Sequence, residues 1–357
     1  MNPTTVAVDL AKSVFELAVS DGQGRVTERK RLSREGFAKF FVNREPCRIV
    51  MEACGTAHHW ARTFQAQGHA VKLLPPQHVR PYVRRNKTDR ADAAALLEAD
   101  RCGDILPVPV KTEGQQALQG LHRVRSGWMA TRTARINTVR GLLREFGFDM
   151  PQGPAAVMAR VPGWLADETV SMPPVLRQAL SAVMDEISRL DTRIAELEKQ
   201  LRQEAKQRPA VQKLMDVPGI GLLIATALIA AVGNMEAFRD GRHLAAWLGL
   251  TPKESSSGNR RRLGRISKRG DPYLRTLLIH GARSALNAAA VKRAAGQELT
   301  RLQRWAVELA GRVGHNKAAT ALANKLARIS YAVVRQGRTF DGDFVPDLPK
   351  AAVSQAA

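Results

Sequence analysis

The first hundred residues switch repeatedly between two-residue and three-to-four-residue spacing of their apolar positions, and that switching points to an α/β domain. Thr4-Thr5-Val6-Ala7-Val8-Asp9 reads as a short strand and Val14 to Val19 as a second. The turn Asp21-Gly22-Gln23-Gly24 leads to a third, Arg25 to Leu32. Arg48 to Met51 and Ala70 to Leu74 read as further strands. A short helix capped near Ser33 and a helix from Ala57 to Gln67 supply the crossovers between them. Pro75-Pro76 ends the last strand, and a basic connector, Arg80 to Lys87, enters an alanine-rich helix from Thr88 to Arg101. This first domain is expected to span residues 1–110.

Beyond it the helical period dominates. Glu113 to Arg144 reads as one or two helices bearing Arg123, Arg125, Arg132, Arg135 and Arg140, on faces that suit a phosphate backbone. Gly147 to Pro174 is rich in proline and glycine and reads as a linker. Leu180, Val183, Ile187, Leu190, Ile194, Leu197 and Leu201 then form a seam suited to a coiled coil or a helical hairpin; joining of protomers is the preferred use. Residues 111–208 are therefore expected to form a connector of basic helices, linker and coiled coil. Residues 209–336 form a mostly helical last domain opened by Pro209, and 337–357 a poorly ordered tail.

The charge balance narrows the partner. With 55 Lys and Arg against 33 Asp and Glu in 357 residues, the chain has a formal charge of +22, which a polyanion such as nucleic acid offsets. Aromatic residues make up only 5 %, so base stacking is not expected to be the main means of binding. No apolar run approaches the roughly 18 residues of a membrane span, and the start of the sequence lacks a secretory pattern. The expectation is a cytoplasmic protein, nucleoid-associated when bound to DNA, with no membrane partner. Cys47, Cys54 and Cys102 have no CxxC spacing, which argues against a zinc ribbon or a disulfide framework.

Four acids carry the first chemical signal. Asp9 ends one apolar strand and Glu52 follows another. If those strands are parallel neighbours, both carboxylates emerge at the same C-terminal sheet edge, where open α/β sheets place their sites. Asp89 and Asp92, three apart on a helix, share a face. Four such groups together call for a divalent cation, magnesium or, next, manganese, which in pairs can drive phosphodiester cleavage. A single acid near a strand end is more often a cap or a surface residue; Asp100 and Asp104 are weaker substitutes. Lys12 and, in the basic connector, Arg84, Arg85 and Lys87 are candidate phosphate contacts.

The second signal lies downstream. In Val217-Pro218-Gly219-Ile220-Gly221, a turn of helix-hairpin-helix type exposes N–H groups at Gly219 and Gly221 that can hold a phosphate. The run Ser255-Ser256-Ser257-Gly258-Asn259-Arg260-Arg261-Arg262 combines hydroxyls with guanidinium groups, and Ser267-Lys268-Arg269-Gly270 follows. The same composition describes a disordered basic loop. His243 and His280 are candidate bases.

Taken in order, Val8-Asp9-Leu10-Ala11-Lys12, Met51-Glu52-Ala53 and Asn86-Lys87-Thr88-Asp89-Arg90-Ala91-Asp92 closely resemble the DEDD-type insertion-sequence transposases, whose first domain has a ribonuclease-H-like, Holliday-junction-resolvase-like fold. Val217 to Gly221, Gly249-Leu250-Thr251-Pro252, Ser256-Ser257-Gly258 and Ser267 to Gly270 resemble the C-terminal domain of the same family. The resemblance covers roughly residues 4 to 335. It implies that Asp9, Glu52, Asp89 and Asp92 bind the metal and that Ser256 forms a covalent phosphoserine link to DNA. It also implies a structured guide RNA pairing with donor and target DNA, and homodimers that assemble to tetramers. Asn259 and Asp271 replace residues that are commonly glycine and asparagine in the family, and neither change removes a proposed chemical group. A junction-resolving nuclease using water, or a non-catalytic nucleic-acid-binding protein, are the alternatives.

Overall fold

Alternation builds the strands where it is strongest. β1 (Thr5–Leu10), β2 (Val14–Ser20) and β3 (Val26–Ser33) form an antiparallel meander. After α1 (Arg34–Val42), β4 (Arg48–Glu52) pairs parallel to β1; after α2 (Ala57–Ala66), β5 (Ala70–Leu74) pairs parallel to β4. The five strands lie in the order β3-β2-β1-β4-β5. This mixed sheet is consistent with the ribonuclease-H-like expectation. Period two divides its residues between two cores. Val6, Val8, Phe15, Leu17, Ile49 and Met51 face α1 and α2, where Phe15 stacks on Phe37 at 4.3 Å and Phe37 meets the edge of Trp60 at 4.7 Å. Each such aromatic pair contributes about 1 kcal/mol beyond its buried area. Ala7, Ala18 and Val50 face the other way, toward α3 (Pro76–Val79) and α4 (Asp89–Arg101). Small residues on that face let α4 lie close against β1, β2 and β4.

The computed structural model describes residues 4–83 and 88–345. The chain divides into two compact units: Met1–Gln115 with Val232–Arg239, which holds the sheet, and Gln116–Ala231 with Asp240–Ala357, which is mainly helical. Within the first, Gln115 donates its side-chain N–H to the Gly233 carbonyl at 3.0 Å, tying the two segments together. Among the described residues no helix is long and apolar enough to cross a membrane.

The helical unit corrects one expectation. α5 (Glu113–Glu145) is one helix, and the proline-rich stretch after it is not a linker. Its residues Pro154–Ala166 form α6, started by Pro154 in the first turn, and Val157 and Val161 are fully buried against α7 (Pro174–Lys206). The apolar seam of α7 is also consumed within the chain. Leu180, Met184 and Ile187 pack with Ile136, Val139 and Leu143 of α5, and Leu197 and Leu201 pack with Leu118. Arg125 pairs with Glu198, Arg132 with Asp191 and Arg135 with Glu186, a descending register that makes α5 and α7 antiparallel. The seam suited either packing within one chain or joining of protomers, the preferred use; within the chain a neighbouring apolar helix covers it.

The remaining elements are α8 (Pro209–Met215), α9 (Leu222–Val232), α10 (Gly241–Trp247), a two-stranded hairpin of β6 (Pro252–Glu254) and β7 (Leu263–Ile266), α11 (Pro272–Ala294), α12 (Arg301–Val313) and α13 (His315–Arg335). α13 packs against α8, α10, α11 and α12, with Ala318, Ala319, Ala323 and Ala327 buried so that backbones approach closely. The hairpin is an element that the charge-rich sequence concealed.

Candidate active site

Val8 lies opposite Met51 in the parallel β1–β4 register, so Asp9 and Glu52, each one residue farther on, sit at the same C-terminal sheet edge. Both have the parity of Ala7 and Val50 and belong to the α4 face. Asp89 and Asp92 occupy the first turn of α4, which begins at Thr88 because its hydroxyl accepts the Ala91 N–H at 3.2 Å. Asp89 is exposed. Asp92 is half-buried, and among the described residues its Oδ1, shut away from solvent, has no hydrogen-bond partner. A carboxylate oxygen left in that condition costs free energy unless a cation or donor reaches it. The acid types and this orphaned oxygen fit a hard divalent cation. Burial raises the Cys54 thiol, and the charges of Glu52 and then Asp9 raise it further. Among the described residues no three acids, histidines or cysteines stand close enough to form a ligand set. Shared edge, face and helix turn are thus present, without closure of the four acids.

Asp100 is removed from the candidates. Its carboxylate, 8 % exposed, pairs with Lys72 at 2.8 Å and Arg48 at 3.3 Å in the last turns of α4, away from the Asp92 end. Asp104 is exposed. Sequence reading missed Glu16, which lies opposite Asp9 across β1–β2 and, with Arg31 and Asp89, lines a depression of about 370 Å³. Its signal was the strand alternation itself, which puts Glu16 on the face of Ala18 and Asp9.

The serine segment is a built arm rather than a disordered loop. The Ser255 N–H donates to the Arg262 carbonyl at 3.0 Å, Ser257 and Arg260 exchange backbone hydrogen bonds at 3.3 and 3.1 Å, and Gly258 turns the chain at φ +54°. Ser256 projects from this arm. Its hydroxyl donates to Glu254 Oε1 at 2.7 Å and accepts the Arg262 backbone N–H at 3.2 Å, while Arg261 approaches Glu254 at 3.6 Å. Among the described residues no side-chain hydrogen bond engages Ser257. The side chain beside the serine hydroxyl is therefore the carboxylate of Glu254, two residues earlier in the chain, and not a histidine. His280 is on an exposed face of α11 and His243 sits in the first turn of α10.

Glycines anchor the arm's root. A Cβ on Gly249 would lie 2.6 Å from the Arg269 carbonyl oxygen, and one on Gly270, at φ +102°, would lie 2.0 Å from that of Trp247. That approach allows Lys268 N–H to reach the Gly249 carbonyl at 3.1 Å and Ser267 N–H the Thr251 carbonyl at 2.8 Å. Asp271 then caps α11 through Tyr273 and Leu274 N–H at 2.8 and 3.2 Å. Gly219 packs backbone to backbone on Gly281 of α11, whereas Gly221 is exposed at the start of α9.

Among the predicted phosphate contacts, Lys12, Arg123, Arg260, Arg261, Arg262, Lys268 and Arg269 are exposed. Arg84, Arg85 and Lys87 lie outside the described residues. Arg125, Arg132 and Arg135 are engaged by α7 carboxylates, and Arg140 donates to the Pro151 carbonyl at 2.7 Å. Helical spacing presented these arginines as a phosphate track; acids at matching heights on α7 hold three of them.

Residues 211–297 match the family described as "Transposase IS116/IS110/IS902 family", and residues 6–148 match a second model, DEDD_Tnp_IS110, described as "Transposase". A "Probable family 20 transposase" of Pseudomonas aeruginosa is 44 % identical over 94 % of this chain and 97 % of its own. The "Transposase for insertion sequence element IS1111A" of Coxiella burnetii is 39 % identical over 94 % of this chain and 90 % of its own. The "Pilin gene-inverting protein" of Moraxella bovis is 24 % identical over 96 % and 98 %.

Proposed function

Because the chain belongs to the IS116/IS110/IS902 family of transposases, we propose that it cleaves and exchanges DNA strands of an insertion sequence through a covalent link to Ser256, aided by a divalent cation. Transposase activity and a DNA substrate follow from the family; the chemistry is our reading. Asp9, Glu52, Asp89 and Asp92 would hold the cation, and the observation that carries this is the buried Asp92 oxygen, without a partner among the described residues, in the first turn of the helix that packs on the sheet face of Asp9 and Glu52. Magnesium, or manganese next, supplies Lewis acidity and charge neutralisation at the scissile phosphate when bound.

The chain's own residues perform the rest. Ser256 Oγ forms a bond to phosphorus while the bond from phosphorus to the departing deoxyribose oxygen breaks, and that oxygen takes a proton from solvent. Glu254, 2.7 Å from the hydroxyl, takes the serine proton. The Arg262 N–H and the guanidinium groups of Arg260 and Arg261 balance the charge that develops. Attack of a freed DNA hydroxyl on the phosphoserine link then restores Ser256. The reading extends to a structured guide RNA and to dimers assembling to tetramers. Exposed cations at Arg260–Arg262, Lys268 and Arg269 support the polyanion. The relative whose printed name makes it a gene inverter supports rearrangement over simple nicking.

The test uses purified protein, labelled element-end DNA and magnesium, with and without RNA transcribed from the element's flank, resolved by denaturing electrophoresis. An RNA-dependent protein–DNA adduct, lost with Ser256→Ala but with DNA binding kept, is the expected result. Adduct at normal yield from Ser256→Ala would overturn the nucleophile. Free nicks without adduct, lost with Asp9→Asn, would make water the nucleophile.

A further inference from the structure

We propose that a groove along α12 and α13 holds an unpaired stretch of the DNA strand that Ser256 attacks, with its bases against Trp305. The inference deepens the proposed function and rests on Ser256 acting on that strand. Two cavities of about 440 and 910 Å³ lie end to end and share Trp305, Lys325 and Arg328 as walls. The first is completed by Arg301, Arg338 and Phe340; the second by Lys317, Arg265 and the hairpin root at Pro252 and Ile266. The groove therefore leads to the base of the arm that presents Ser256.

Its charge is one-sided. Arg301, Lys325, Arg328 and Arg338 converge on the first cavity, Asp341 is its one acidic neighbour among the lining residues, and among the described residues none of the four cations forms an ion pair. The Lys325 ammonium lies 4.1 Å from the centre of the Trp305 ring, and burial, then Arg301 and Arg328, disfavour its charge. Cations are held in this way at a cost unless an anion enters. The segment closing the cavity is fixed in place: Leu302 N–H donates to the Gly342 carbonyl at 3.0 Å and Arg301 N–H to Asp343 Oδ1 at 2.6 Å.

An occupant must be anionic along its length and apolar at intervals, which describes nucleotides in sequence. Each cavity falls within the roughly 300 to 1,000 Å³ typical of sites for small molecules. A duplex shows only base edges in its grooves and phosphates outside, so a base face can reach Trp305 only from an unpaired strand.

The experiment measures fluorescence anisotropy of the full chain with a short labelled deoxythymidine oligonucleotide, its RNA counterpart and a duplex of equal length. Trp305→Ala should weaken single-stranded DNA binding roughly 5- to 100-fold and leave duplex binding unchanged. Lys325→Ala with Arg328→Ala should reduce the salt slope for the single strand by about 1.4, as two lost phosphate contacts require. Crosslinking of the unaltered protein to an oligonucleotide bearing 5-iododeoxyuridine should map to Trp305 or Phe340, a readout independent of whether a variant folds. Equal weakening of single strand and duplex, a selective loss for RNA, or crosslinks confined to the hairpin would each overturn the proposal. None of these measurements uses cleavage, so failure here is distinct from retention of adduct in Ser256→Ala.

Discussion

Lowering the pH from 7.5 to 5.0 should cost the helical unit about 2 kcal/mol through His122 alone. The imidazole is 3 % exposed, at a junction of α5, α9 and α11. The Thr226 hydroxyl donates to the Leu222 carbonyl at 2.6 Å, so its oxygen is left to accept the His122 Nε2–H at 2.9 Å. Nδ1 then accepts the Tyr273 hydroxyl at 3.0 Å, and the neutral ring is fully satisfied. Burial first, then the charge of Arg125, lowers its pKa from 6.5 to about 4. An unfolded chain takes up a proton below pH 6.5 that the folded ring refuses, so stability present above pH 6.5 drains away as the pH falls toward 4 and levels off beneath it. That gap corresponds to about 3 kcal/mol in full, of which about 2 is lost by pH 5.0. Urea unfolding at the two pH values, in the unaltered protein and in His122→Gln, reads the term as a difference. His58, in the sheet unit, is also lowered to about 4, by burial and then by Lys111 and Arg62, but it contributes equally to both proteins. An identical loss of stability in both would refute the argument.

Three further outcomes test other parts of the structure. Magnesium or manganese at about 100 times its dissociation constant should stabilise the sheet unit by about 3 kcal/mol in a thermal melt, and Asp92→Asn should abolish that rise. Gly281→Ala places a Cβ 2.0 Å from the Gly219 carbonyl oxygen and should destabilise the helical unit by about 1 to 3 kcal/mol, whereas Gly127→Ala, with open space around it in α5, should be neutral or stabilising by up to about 1 kcal/mol in the same melts. Arg132→Ala should change stability by under about 1 kcal/mol and leave the salt slope of DNA binding alone; Arg261→Ala should lower that slope by about 0.9.

Much of the sheet unit was readable because its information is local. Ala70–Leu74 forms a strand over the very residues whose pattern predicts one, and the Thr88 cap marks the start of α4. The parity of Asp9 and Glu52 followed from period two as soon as β1 and β4 were taken as parallel neighbours. The Pro154–Ala166 helix was missed because proline in a first turn and proline in a linker look alike without a partner to bury Val157.

What the sequence determined by itself was thus the kind of most long elements, the face on which their apolar and acidic residues fall, and the family to which the chain belongs. Tertiary structure decided the pairings. It packed the α7 seam against α5, paired Arg132 and Arg135 with carboxylates of α7, and set Gly219 against Gly281. It also folded a serine- and arginine-rich run into a hairpin in which Glu254 meets Ser256. The physical reason is that periodicity and capping depend on neighbours within a few residues along the chain. Burial and charge compensation depend on whichever distant surface arrives at matching height and shape, and no local pattern encodes that.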